Sequence, residues 1–274
     1  MKKNILILGL LFTGLLFSCD PETKEEIIDR LESIDRFEGG NAALRGEIET
    51  TEDALEAIKS RPLRPEIDCA TISHDSSTQT VSLDFGTTGC AGEDGRVRSG
   101  LLEFVYGGNF RNPTKYRKLI FTDFKVDTTL INGTYTFAPL GKNADSNFTF
   151  SVQIDKASLA FDNGYAIEFD LERTWTWTSG AGNLDNTDDE YEVLGSASGS
   201  DNATGRDAKS FEMIIDEALL YKTTCWQSAI YYPTMGLVTA KEGNLTFEVD
   251  YGTGSCDKDV TITKGLVSYT KTLP

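Results

Sequence analysis

Between residues 165 and 178 the side chains alternate without interruption. Tyr165, Ile167, Phe169, Leu171, Arg173, Trp175 and Trp177 fall on one parity, and Ala166, Glu168, Asp170, Glu172, Thr174, Thr176 and Thr178 on the other. A period of two puts an apolar face opposite a polar one, which a 3.6-residue helical repeat cannot do. At ~3.3 Å per residue the segment would reach roughly 45 Å. It is expected to be one long strand, or two joined by a bulge near Arg173, in a large antiparallel sheet with one wet face.

The same period recurs along most of the chain. Val81, Leu83 and Phe85 alternate with Ser82 and Asp84, as Phe148, Phe150, Val152 and Ile154 do later, and Ile120, Phe124 and Val126 read onto one face. Further strands are expected at 191–199, 211–215, 228–232, 245–251 and 260–270. Short strands separated by turn residues predict an all-β fold, a large antiparallel meander forming a β-sandwich or half-open barrel. One turn fixes a register. Asp162-Asn163-Gly164 read as a three-residue loop, with Gly164 left-handed, pairs Leu159 with Ile167 and keeps both on the apolar face. Val152 and Ile154 have the opposite parity to Leu159, so a bulge or break is required around residues 155–157.

The N-terminal part departs from this pattern. Lys2 and Lys3, an apolar run and Leu16-Phe17-Ser18-Cys19 make residues 1–18 a secretory signal, with Cys19 as the candidate lipidation site. Residues 19–66 read as an acidic, partly helical tether. Ile27, Ile28, Leu31 and Ile34 have helical spacing ending at Gly39-Gly40, and a second short helix is expected at 51–59 before Pro62 and Pro65. Residues 67–274 then form a single all-β domain.

Charge and cysteines narrow the setting. Without the signal, 24 basic side chains face 43 acidic ones, a net of −19. That excess repels phosphate backbones and excludes nucleic acid as a partner. Four cysteines remain after Cys19, an even number suited to two disulfides in an exported chain. Their pairing follows from an internal echo. Val81, Leu83, Asp84, Phe85, Gly86, Thr87 and Cys90 align with Phe247, Val249, Asp250, Tyr251, Gly252, Thr253 and Cys256, and Gly100-Leu101-Leu102 with Gly265-Leu266-Val267. Two similar hairpin modules, 67–106 and 225–270, would each be closed by its own bond, Cys69 to Cys90 and Cys225 to Cys256.

Candidate chemistry is sparse, and the chain is not expected to be an enzyme. His74 is the single histidine and reads as a strand-edge imidazole. Glu168, Asp170 and Glu172 are adjacent same-face acids, a solvated surface more simply than a glycosidase pair. Asp185, Asp188, Asp189 and Glu190 lie in the densest acidic loop, where Ca2+ is the one candidate cofactor and an ordinary hydrated turn is the favoured reading. Trp175, Trp177 and Trp226 are candidate ligand-binding aromatics, with core packing favoured for the first two.

The Leu16–Cys19 start resembles the lipobox of bacterial lipoproteins. Together with the acidic segment behind it and the repeated D-[FY]-G-T-x-x-C strands, the chain resembles a group of uncharacterised exported lipoproteins of the Bacteroidota. The resemblance implies an acylated Cys19 holding the protein at the outer membrane, on its periplasmic or cell-surface face, and carries no catalytic residues. The expected role is non-enzymatic binding of a glycan, apolar ligand or envelope protein, or a structural one. The alternatives are a carrier of lipid in a curled sheet and a glycan-acting hydrolase.

Overall fold

The computed structural model describes residues 35–47, 69–92, 95–107, 115–183, 185, 187–202 and 208–274. The lipobox with Cys19 and the expected helix at 51–59 lie outside them. Fourteen strands form one antiparallel sheet: β1 (Thr71–Asp75), β2 (Thr80–Asp84), β3 (Cys90–Ala91), β4 (Val97–Tyr106), β5 (Arg117–Val126), β6 (Thr129–Lys142), β7 (Phe148–Phe161), β8 (Ala166–Ser179), β9 (Glu190–Asp201), β10 (Lys209–Lys222), β11 (Met235–Glu242), β12 (Leu245–Thr253), β13 (Asp259–Lys264) and β14 (Val267–Thr272). Each strand pairs with the next along an open path from β1 to β14, except that β3 pairs only with β4. The sheet is a meander that does not close into a barrel. Helix α1 occupies residues 35–47, and a single turn, α2 (Thr223–Trp226), follows β10.

β8 is one unbroken strand. Its alternation runs through Arg173, which is buried and pairs in register with Val152 on one side and Gly195 on the other. The Asp162–Gly164 loop has the expected geometry: the Phe161 amide donates to the Tyr165 carbonyl at 2.8 Å, Gly164 is left-handed at φ 82°, and Leu159 faces Ile167. The register then slips between Ile154 and Ala157, where Lys156 takes φ 50° and its amide donates to Asp170 Oδ1 at 2.9 Å.

Three strand expectations are corrected. A bulge between Phe121 and Phe124, with Asp123 at φ 45°, puts Leu119 and Phe121 inside with Phe124 and Val126 and leaves Ile120 on the other face. Residues 228–232 are loop, because the chain leaves β10 through α2. The 260–270 segment is two strands, folded at Gly265-Leu266.

α1 decides the shape of the sheet. Its Glu47 pairs with Arg98 of β4, Gly40 lies against Leu159 of β7, Phe37 packs on Phe169 of β8 and Phe211 of β10, and Asp35 pairs with Lys271 of β14. A flat sheet from β4 to β14 would be about 50 Å wide at ~4.8 Å per strand. A helix about 10–12 Å thick touches both ends of that span only if the sheet is rolled around it. Phe37, Ala42 and Leu44 accordingly join one continuous core with the inward residues of the strands.

The helix thus runs straight through Gly39-Gly40, where the sequence suggested an end. Neither glycine has a positive φ. Their lack of a side chain serves proximity instead: a Cβ on Gly40 would fall 2.0 Å from Leu159 Cδ1, and one on Gly39 would fall 2.8 Å from the Pro274 ring.

Both expected disulfides are present, Cys69–Cys90 and Cys225–Cys256. The echo holds at the first turn of each segment. The Asp84 and Asp250 carboxylates accept from the amides of Gly86 and Gly252, each at 2.8 Å, and both glycines are left-handed. It fails beyond the cysteines. Gly100 sits at a bulge inside β4, which pairs with β2, whereas Gly265 is the turn leading to β14, and β12 pairs with β13 instead. Leu266 is fully exposed at that turn while its counterpart Leu101 is half-buried in β4.

Candidate functional site

An apolar sheet face that carries Arg173, and a lumen that also takes in Arg98, needs buried negative charge nearby, since an unpaired ion in such a setting is strongly unfavourable. α1 supplies it. Glu47 receives Arg98 Nε at 2.8 Å and Nη2 at 3.0 Å, a two-point pair at full burial, and Arg96 Nη1 at 3.2 Å. Glu38 faces Arg173, with the Tyr251 hydroxyl at the margin of hydrogen-bonding geometry. Burial pushes the Glu38 carboxyl above its usual range, and the charges of Arg173 and Arg45 with the Tyr251 contact offset part of that rise. Arg36 meets Asp201 at 3.1 Å and stacks on Tyr165.

The three tryptophans come together around the same helix. The Arg45 guanidinium lies 4.3 Å from the Trp175 ring centre, 4.4 Å from Tyr221 and 5.9 Å from Trp226. Trp175 stacks on Tyr221 at 5.1 Å, and Tyr191 bridges Trp177 and Trp226. Trp175 and Trp177 are core, as the sequence favoured, and the aromatic box they begin is filled by the protein's own arginine through cation–π contact. Further along the helix, beside Phe37, Gly199 of β9 pairs with Phe169 and could not carry a Cβ without meeting the Phe211 ring at 2.7 Å. Beside Leu44 the free volume is about 10 Å³.

One open space lies at a seam between α1, the edge strand β14 and the segment before β4. A cleft of about 620 Å³ is walled by Asp35, Gly39 and Ala43 of α1, by Tyr231 and Tyr232 after α2, and by Lys271 of β14; Lys258, Arg36, Arg96 and Phe161 also face it. The small residues Gly39, Ala42 and Ala43 give it a smooth helical floor. Lys271 pairs with Asp35, and Lys258 Nζ donates to the Pro274 carbonyl at 3.0 Å, an oxygen that also accepts from the Tyr232 hydroxyl at 2.7 Å. Burial, with Glu38 and Asp35 nearby, pushes the Tyr232 phenol up, so it stays a donor. Part-exposed pairs such as Lys271 with Asp35 contribute at most about 1 kcal/mol. Nothing in the sequence pattern signalled this cleft, because its walls come from seven separated segments.

The remaining candidates are dispersed. In the acidic loop, Asp189 turns inward to accept from Trp177 Nε1 at 3.1 Å, Asp188 accepts from Asn183 Nδ2 at 2.9 Å and Asp185 caps its own turn at Thr187, while Glu190 opens β9. Among the described residues no three His, Cys, Asp or Glu side chains converge on a metal position. Glu168, Asp170 and Glu172 are exposed on the outer face beside the β7 bulge. His74, on edge strand β1, shares a 2.6 Å hydrogen bond with the Tyr106 hydroxyl.

No family model matches the sequence, no curated protein matches it significantly, and no solved structure matches the fold significantly.

Proposed function

We propose that the protein is a lipid-anchored lipoprotein of the cell envelope that acts by binding, without catalysis, through the seam cleft. The observation that carries this reading is the cleft itself. Its volume of about 620 Å³ falls within the range of small-molecule sites, and it combines aromatic walls with a few placed polar groups. The occupied lumen speaks against lipid carriage within the sheet. Asp170 and Glu172 of β8 share an open pocket of about 390 Å³ with Asp155 of β7, but no aromatic side chain lines it to receive a sugar ring, which weighs against a glycosidase.

The anchor and the cleft belong to the same segment. Fifteen residues separate Cys19 from Asp35, which lines the cleft, and the sixteen steps between the two span at most about 58 Å. An acylated Cys19 therefore keeps the cleft within that distance of the bilayer. Three acyl chains, at about 0.8 kcal/mol per buried CH2, would hold the chain there without a membrane-crossing helix.

Two measurements test this. Full-length protein taken from its own membrane should carry palmitate at Cys19, and Cys19→Ser should leave the membrane fraction. Native mass spectrometry should find a small ligand on the parent protein and none on Ala43→Trp, whose indole fills the cleft. Identical ligand content in both proteins would move the site elsewhere.

A further inference from the structure

We infer that the ligand of the seam cleft carries an anionic group, a carboxylate, sulfate or phosphate, attached to an apolar or aromatic ring; this rests on the cleft being the binding site. The chain as a whole is strongly acidic, with 26 basic against 43 acidic residues among 274. The cleft inverts that balance. Of the sixteen residues that line it, four are cationic (Arg36, Arg96, Lys258 and Lys271) and one, Asp35, carries an acidic side chain. Their roles divide. Arg36 and Arg96 are tied to the buried carboxylates Asp201 and Glu47, which fixes them in place. Lys258 and Lys271 are half-buried at the rim, and their partners are a backbone carbonyl and a part-exposed aspartate. An ammonium has three donors, so each lysine can keep its present bond and still donate to an incoming anion.

The other wall fixes the rest of the ligand. Phe161, Tyr231 and Tyr232 give ring surface, the single Tyr232 proton being donated to the Pro274 oxygen. At physiological salt the screening length is about 8 Å, so an anion in the cleft responds to its walls; there Arg36, Arg96 and Lys271 are each matched by a carboxylate, and Lys258, bonded to a main-chain oxygen, supplies the positive charge that is not. The geometry therefore selects a ring with a charged substituent directed at Lys258 and Lys271. A neutral ring leaves both ammonium groups without an added partner, and a cationic one is repelled.

The test compares 1-naphthaleneacetate with 1-naphthaleneacetamide, which share a frame and differ in charge, by calorimetric titration of the full-length protein in detergent against a micelle blank. The acetate is expected to bind at least fivefold tighter than the acetamide. Lys258→Met and Lys271→Met should each weaken the acetate at least threefold and leave the acetamide unchanged, Lys271→Arg should restore it, and Ala43→Trp should abolish both. Equal binding of the two compounds, sensitive to Ala43→Trp and indifferent to the lysines, would overturn the anionic class and leave the cleft as a neutral-ligand site. Binding that ignores Ala43→Trp, or binding of neither compound at millimolar concentration, would overturn both the class and the site.

Discussion

Glu47 and Arg98 face each other inside the rolled sheet with both side chains about 1% exposed, joined at 2.8 and 3.0 Å. One belongs to the only long helix among the described residues and the other to β4, so the pair locks the end of α1 to the early strands. Removing one partner strands the other as a buried charge, which typically costs about 3–5 kcal/mol. Glu47→Gln and Arg98→Met should each lower the urea midpoint by that equivalent. Because Arg96 also meets Glu47, Arg98→Met should be the milder of the two. The double variant Glu47→Leu with Arg98→Met should recover part of the loss, and strict additivity would show that the pair is not a coupled unit.

Gly40 makes a prediction that runs against helix propensity. Alanine in the middle of a helix is favoured over glycine by roughly 1 kcal/mol. Here its Cβ would lie 2.0 Å from Leu159 Cδ1, and Leu159 is wholly buried beside a void of only about 10 Å³. Gly40→Ala is therefore expected to destabilise by about 1–3 kcal/mol as an overpacked core site. Combining it with Leu159→Ala should cost less than the sum of the single changes, measured as a double-mutant cycle in denaturant. A stabilising Gly40→Ala would mean that α1 is not seated against β7.

These two sites mark the boundary of what could be read from the chain. β8, its turn at Asp162–Gly164 and the bulge at Lys156 were legible because each is a local consequence of period-two burial and of one left-handed glycine. Both cysteine pairings were legible because each bond closes a single hairpin. α1 was not. Its charged residues look solvated in sequence, and only the rolled sheet brings Arg98, Arg173 and Lys271 to meet them. Its glycines look like a stop, since the need for close approach lies in Leu159 and Pro274, far along the chain. Ile120 was misplaced for a related reason: a bulge two residues later resets the parity that the strand reading assumed.

The two disulfides should differ in what they protect. Replacing either pair by alanine is expected to lower stability by about 3–4 kcal/mol in the chain-entropy account, given sequence separations of 21 and 31. Cys225–Cys256 also flanks the cleft, because Tyr231, Tyr232 and Lys258 follow these cysteines closely. Loss of that bond should weaken naphthaleneacetate binding, and loss of Cys69–Cys90 should not. Calorimetric titration of both double-alanine variants at a temperature where each remains folded compares them directly.

Trp177 is expected to report on packing and on a buried hydrogen bond separately. Its indole Nε1 donates to Asp189 Oδ1 at 3.1 Å while its ring stacks on Tyr191 at 5.7 Å. Trp177→Ala should destabilise by about 3–5 kcal/mol through the lost side chain. Trp177→Phe keeps most of the ring contact and removes one donor to a buried carboxylate, a loss of about 1–3 kcal/mol. Adding Asp189→Asn to Trp177→Phe should cost little further, since the buried carboxylate charge that the indole stabilised is then gone. If Trp177→Ala left the thermal midpoint unchanged, the ring would be surface rather than core.

Glu38 sets the pH dependence expected of the helix. Burial raises its carboxyl above the ordinary value of 4.5, partly countered by Arg173, Tyr251 and Arg45, with Asp35 adding to the rise. A carboxyl whose folded pKa lies above the unfolded one binds its proton more tightly in the folded protein. Its contribution to stability is therefore complete below about pH 4.5 and declines as the pH climbs through the raised folded value. Glu38→Gln removes that titration, so the stability of the parent relative to the variant should fall between pH 4 and neutrality. Asp75 acts in the opposite sense and in a different window. Hydrogen bonds from Ser77 and Thr78 lower its carboxyl from 3.8 to about 2, so its contribution is present above the unfolded value and is lost as the pH drops through about 2. Denaturant titrations of Glu38→Gln and Asp75→Asn across pH 2 to 8 should separate the two. A parent protein that gains on Glu38→Gln as the pH rises would show that Arg173 holds Glu38 ionised and that burial is the lesser influence.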